Sequence, residues 1–123
     1  MNVMKPATGP TAFCPYFHEA VELIGRRWTG AILRALMSDV SRFSELTAAV
    51  PGLSDRMLAE RLRELEARGI VRRTVIPETP VRIEYSLTDK GRALDEVIRA
   101  VSGWADRWVK DAAAAGARAR EKA

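Results

Sequence analysis

Across 123 residues the chain carries one cysteine, Cys14, and one histidine, His18. A lone cysteine rules out an intrachain disulfide and suits a reducing compartment. One cysteine and one histidine cannot build a structural zinc site within a single chain. Long apolar runs are missing as well. Nothing approaches the roughly 20 apolar residues that span a bilayer, and the N-terminal MNVMKPATGPTAF has no apolar stretch of the kind a secretory signal needs. These absences predict a cytoplasmic protein with no membrane partner. Catalytic patterns are scarce too: there is no glycine loop to cradle a phosphate, no metal cluster, and no nucleophile, histidine and carboxylate that the chain could bring together. The expectation is a chain that is not an enzyme, with no catalytic residue, no metal ligand and no cofactor.

What is present is an ordinary soluble balance, 47% hydrophobic and 29% charged residues. The length fits one domain with a single core. Lysine and arginine number 20 against 16 acidic residues, a net charge of +4. That excess favours a polyanionic partner only mildly, so the placement of the charges matters more than their sum.

Residues 1–13, with Pro6, Gly9 and Pro10, lack periodicity and read as a flexible arm; 14–111 read as the folded domain and 112–123, alanine, arginine and lysine, as a frayed tail. Pro15 can open a helix because its missing N–H would be unpaired there. Phe17, Ala20, Val21 and Ile24 then recur at helical spacing up to Gly25. A second helix is expected from about Trp28 to Met37, and a third, capped by Ser41, through Val50, with Phe43 and Leu46 inward. Pro51-Gly52 interrupts. Ser54 then caps a fourth helix with an inner stripe of Leu58, Leu62 and Leu65, and Gly69 stands where a left-handed C-terminal cap is expected. Val81, Ile83, Tyr85 and Leu87 alternate with Arg82, Glu84 and Ser86, a strand with one face buried and one wet, partnered by roughly Val71–Ile76 across a tip holding Pro77 and Pro80. Thr88 caps a long last helix. Tyr16, Trp28 and Tyr85 read as packing residues.

A mainly α chain with one small β-hairpin, in the order helices, hairpin, helix, is the order of a winged helix-turn-helix. In that arrangement the second helix of the pair lies in the major groove of DNA and its N-terminal residues reach base edges. Taking the leucine stripe as inward nominates Arg56, Met57, Ala59 and Glu60 for the groove, with Arg56 the best match to guanine. Arg61 and Arg63, further along, suit phosphates, and Ser54 with the free amides of the first turn can hold a phosphate oxygen. Arg42 could meet the backbone on the near side. Arg82, beside the Glu78-Thr79-Pro80 tip, suits a minor-groove or phosphate contact, with Thr79 alongside. Mixed arginine and glutamate on an outer helix face is also what plain solvated surface looks like. The ordered combination of elements argues for double-stranded DNA as the partner; a winged helix that binds proteins or ligands instead is the alternative.

The stretches CPYFHEAVELIGRRWTGAILRAL (14–36), RFSELTAAVPGLSDRMLAERLRELEARGIVRRTV (42–75) and PVRIEYSLTDKGRAL (80–94) resemble the HxlR-type winged helix-turn-helix transcriptional regulators of bacteria, relatives of the MarR group. The resemblance covers about residues 14–108. It implies a homodimer binding a near-palindromic operator, with the first and last helices at the dimer interface; the expected function is that of a transcriptional regulator acting as a repressor. It also implies that Ser54, Arg56, Met57, Arg61 and Arg63 sit on the recognition helix and Arg82 in the wing.

Two further features bear on assembly and control. Leu94, Val97, Ile98, Val101, Trp104 and Trp108 form a broad apolar stripe on the last helix. Packing within one subunit accounts for part of it, but a helix that follows a wing is peripheral, and the remainder suits a twofold dimer seam. Cys14 reads either as a small packed hydrophobe or, as some regulators of this kind imply, as a sensor of an oxidant or other small-molecule effector. His18 could activate that thiol if it lay near and charged.

Overall fold

The computed structural model describes residues 12–122; most of the segment read as an arm (1–11) and Ala123 lie outside the described residues. Pro15 occupies the first turn of α1 (Pro15–Ile24), and Cys14 caps it, its Sγ accepting from the Phe17 N–H at 3.5 Å. Then follow α2 (Thr29–Met37), α3 (Phe43–Ala49) and α4 (Asp55–Ala67). The hairpin of β1 (Val71–Ile76) and β2 (Arg82–Leu87) pairs antiparallel from Val71 opposite Leu87 to Ile76 opposite Arg82. A bridge between Arg42 and Glu84, with Tyr85 N donating to Ser41 O at 2.8 Å, lays the start of α3 along β2.

Most expected elements stand, with shifted edges. α3 is capped by Arg42 instead of Ser41, the Arg42 N–H donating to Glu45 Oε1 at 3.1 Å. Trp28 stands just ahead of α2 with φ 75°, not within it. The long last helix is broken. Thr88 does cap a helix, its Oγ1 accepting from Gly91 N at 3.1 Å, but α5 (Asp89–Arg92) is a single turn. The chain then restarts as α6 (Asp95–Trp104), passes through a π-helical stretch (Ala105–Lys110) and continues as α7 (Asp111–Lys122). The break sits where the turn is pinned to the base of the hairpin: the Thr88 hydroxyl donates to Gly69 O at 2.6 Å, Lys90 Nζ to Arg68 O at 2.8 Å and Arg92 NH1 to Leu87 O at 2.9 Å. The tail expected to fray is helical as far as Lys122, in keeping with alanine's high helix propensity.

The core is the meeting of α2 (Ile32, Leu33, Leu36), α3 (Leu46), α4 (Leu58, Leu62, Leu65) and the hairpin base (Ile70, Val71, Leu87), all buried. Each fully buried aliphatic side chain contributes about 1.5–3 kcal/mol. α4 ends as its sequence demands: Gly69 takes φ 72°, and the Ile70 N–H returns to Leu65 O at 2.9 Å while Gly69 N meets Glu66 O at 3.0 Å. Burial fades along the hairpin. Leu87 is buried and Ile83 and Tyr85 half-buried, whereas Val75 and Val81 are exposed, so only the base of the expected inner face is covered. Tyr16, read as packing, is 83% exposed on α1.

Candidate nucleic-acid interface

α4 is anchored by its leucine stripe and by its cap, Ser54 Oγ accepting from Met57 N at 3.1 Å. Thr47 Oγ1, donating to Asp55 Oδ1 at 3.2 Å, ties the first turn to α3. With the stripe buried, Arg56 and Arg63 are exposed, Ala59 and Glu60 are half-buried, and Met57 packs partly on the core. Neither Arg56 nor Arg63 has an ion partner among the described residues.

Arg61 corrects its nomination as a phosphate contact. It is only 7% exposed. Its Nε donates to Arg27 O at 2.9 Å and its NH1 to Glu64 Oε2 at 3.1 Å. The side chain points into the corner between α1 and α2, away from any solvent-borne phosphate.

The hairpin presents a different set of charges from those first nominated. Arg82 is held between Glu84, 3.2 Å from its Nε, and Glu78, 3.4 Å from its NH2, so its charge is largely answered within the wing. Thr79 is exposed at the tip and Arg42 at the start of α3. Sequence reasoning missed Arg72 and Arg73 on β1, both exposed. Arg73, opposite Tyr85, lines a groove with Ala59, Arg63 and Glu66, so one arginine from α4 and one from β1 face the same channel. The signal was available: Arg73 shares strand parity with Val71, which faces the core, and hence faces α4.

Residues 23–113 match the HxlR-like helix-turn-helix family. The chain belongs to that family. The HTH-type transcriptional regulator YvaP of Bacillus subtilis is 54% identical over 96 residues, 78% of this chain and 89% of the relative. The reduced form of the transcriptional regulator YodB, also from B. subtilis, is 48% identical and superposes with a TM-score of 0.70 over 78% of this chain and 94% of YodB. The redox regulator HypR in its oxidised form is 36% identical with a TM-score of 0.71, over 76% of this chain and 96% of HypR. The protein is accordingly an HxlR-like DNA-binding transcriptional regulator with a winged-helix fold.

In this HxlR-like chain the last-helix stripe divides. Leu94 and Ile98 pack against the chain's own core, and Val97 is half-buried. Val101, Trp104 and Trp108 are more than half exposed, as is Val109, which joins them. On α1, Phe17 (70%) and Val21 (41%) are exposed as well. Cys14 is exposed at the head of α1, and the His18 ring lies against Phe13, centroids 5.3 Å apart. Among the described residues no group of three His, Cys, Asp or Glu is placed to hold a metal, and no helix is long and apolar enough to cross a membrane.

Proposed function

We propose that this regulator works in the cytoplasm as a homodimer on a near-palindromic operator, acting as a repressor that releases DNA when Cys14 is oxidised or alkylated. The observation that carries the DNA-reading role is α4 itself: one face is sealed by three leucines while the other offers Arg56 and Arg63 without ion partners. In a helix-turn-helix such a face enters the major groove by its N-terminal end. Arg56, Met57, Ala59 and Glu60 meet base edges, Ser54 and the first-turn amides hold a phosphate, and Arg63 with Arg42, Arg72, Arg73 and Thr79 follows the backbone. Arg82, already paired, contributes less.

Homodimerisation is supported by the apolar surface of Val101, Trp104, Trp108 and Val109 together with Phe17 and Val21, which a monomer leaves in water. Redox control is supported by the exposed thiol at the head of α1 and by relatives: YodB has been solved diamide-treated and quinone-bound, and HypR is a redox regulator. With one cysteine per chain, oxidation yields either a disulfide between subunits or a mixed disulfide with a small thiol, two electrons and two protons passing to the oxidant. A quinone instead adds covalently to the sulfur.

The test is a titration against a duplex selected from a random library and against a scrambled duplex, at several salt concentrations. Preferential binding to the selected duplex, with a log–log salt slope of several units, supports the reading. Equal weak binding to both indicates a protein- or ligand-interaction module.

A further inference from the structure

Among the described residues Arg61 is the only buried charged side chain, and DNA contact leaves it without a role. Burying a guanidinium is costly unless its donors are answered. Here one donor is answered by the corner between α1 and α2 and another by Glu64 on α4 itself, which the corner's Arg26 engages in turn. Nε meets Arg27 O at 2.9 Å, NH1 meets one oxygen of Glu64 at 3.1 Å, and the other oxygen of Glu64 meets Arg26 Nε at 3.0 Å. The residue after that carbonyl, Trp28, holds φ 75°, a left-handed conformation that a bulky side chain adopts only when its surroundings enforce it. The Trp28 ring in turn reaches the loop before α4, where a Cβ on Gly52 would stand 3.2 Å from it. The strained corner therefore touches α4 through the Arg61 fork and the α3–α4 turn through the Trp28 ring.

We propose that Arg61 is a positioning residue for DNA recognition: it clamps α4 to the α1–α2 corner, setting the angle at which Arg56 and its neighbours meet the bases, and touches no phosphate itself. The inference rests on α4 being the helix that enters the groove. Arg61→Lys keeps the charge but replaces the planar fork with a point donor that cannot reproduce its geometry. Affinity for the selected duplex is expected to fall about tenfold, with affinity for the scrambled duplex changing by less than about twofold. A phosphate contact weakened by the same change would instead lower affinity for both duplexes alike, because phosphates carry no sequence information.

An equal fall on both duplexes, or an undiminished affinity for the selected duplex, overturns the clamp. If Arg61→Lys does not fold, as judged by circular dichroism, Glu64→Gln carries the test. It keeps the bond to Arg27 O, removes both ion pairs, and is expected to lose about threefold on the selected duplex alone; wild-type affinity in that variant overturns the clamp equally. Arg56→Ala runs alongside. If it leaves selected-duplex binding unchanged, the groove assignment fails and the clamp with it; if it weakens binding while the Arg61 and Glu64 variants do not, the clamp alone fails.

Discussion

No side chain fits at Gly91, because a Cβ there would run into the carbonyl oxygen of Ile70. That approach, together with the Thr88 N–H on the same carbonyl at 3.0 Å, seats α5 on the base of the hairpin and fixes where the wing leaves the body. Gly91→Ala must push backbone from backbone. We expect a loss of about 2 kcal/mol, within the range for overpacking, read as a lower urea midpoint at unchanged slope. An unchanged midpoint contradicts so close a contact.

Arg73 and Arg82 sit on the same hairpin in opposite electrostatic circumstances. Arg73 is exposed beside the α4 groove, while Arg82 is engaged by Glu78 and Glu84. Arg73→Gln should weaken selected and scrambled duplexes alike and flatten the salt slope by about 0.9. Arg82→Gln should change the slope less. The reverse order makes Arg82 the wing's DNA contact.

Trp104 is 61% exposed on α6. A substitution there should shift the stability of an isolated subunit by no more than about 0.5 kcal/mol. Burial in a dimer seam changes that, because Trp104→Asp would place a carboxylate in an apolar interface. Sedimentation velocity is expected to show monomers for the variant and dimers for the parent. An intact dimer removes this face from the interface.

Cys14 stands exposed at the head of α1, which leaves it open to soluble oxidants. Diamide or a benzoquinone should release the wild-type protein from its selected duplex and leave Cys14→Ser bound. Equal release of both proteins places the sensitivity elsewhere; retention of both removes the redox reading.

Much of the domain was legible because its signals are local. Ser54, the Leu58/Leu62/Leu65 stripe and Gly69 each announce a part of α4, and each performs the expected task. Arg61 was not legible. At 100° per residue it lies about 60° from Leu58, at the edge of the inward stripe. What draws it inward is the carbonyl of Arg27, 34 positions away in sequence. The break after Thr88 was hidden for a related reason: the helical periodicity runs only from Leu94 to Trp108, and the interruption ahead of it comes from the backbone of Ile70 and Leu87. Periodicity alone cannot divide the apolar stripe nominated for a dimer seam, since it does not distinguish Leu94 and Ile98, which cover their own core, from Val101 and Trp104, which stay more than half exposed. Arg73 was hidden because β1 alternates less clearly than β2.

Hydroxyl-radical and methylation footprinting on the selected duplex decides whether two copies of α4 read DNA from a twofold dimer. Two symmetric protected segments are expected, with their centres about 10–10.5 base pairs apart, or a multiple of that spacing, and with guanine N7 shielded in each. One unpaired protected segment, or protection confined to the backbone with every guanine N7 accessible, contradicts that arrangement.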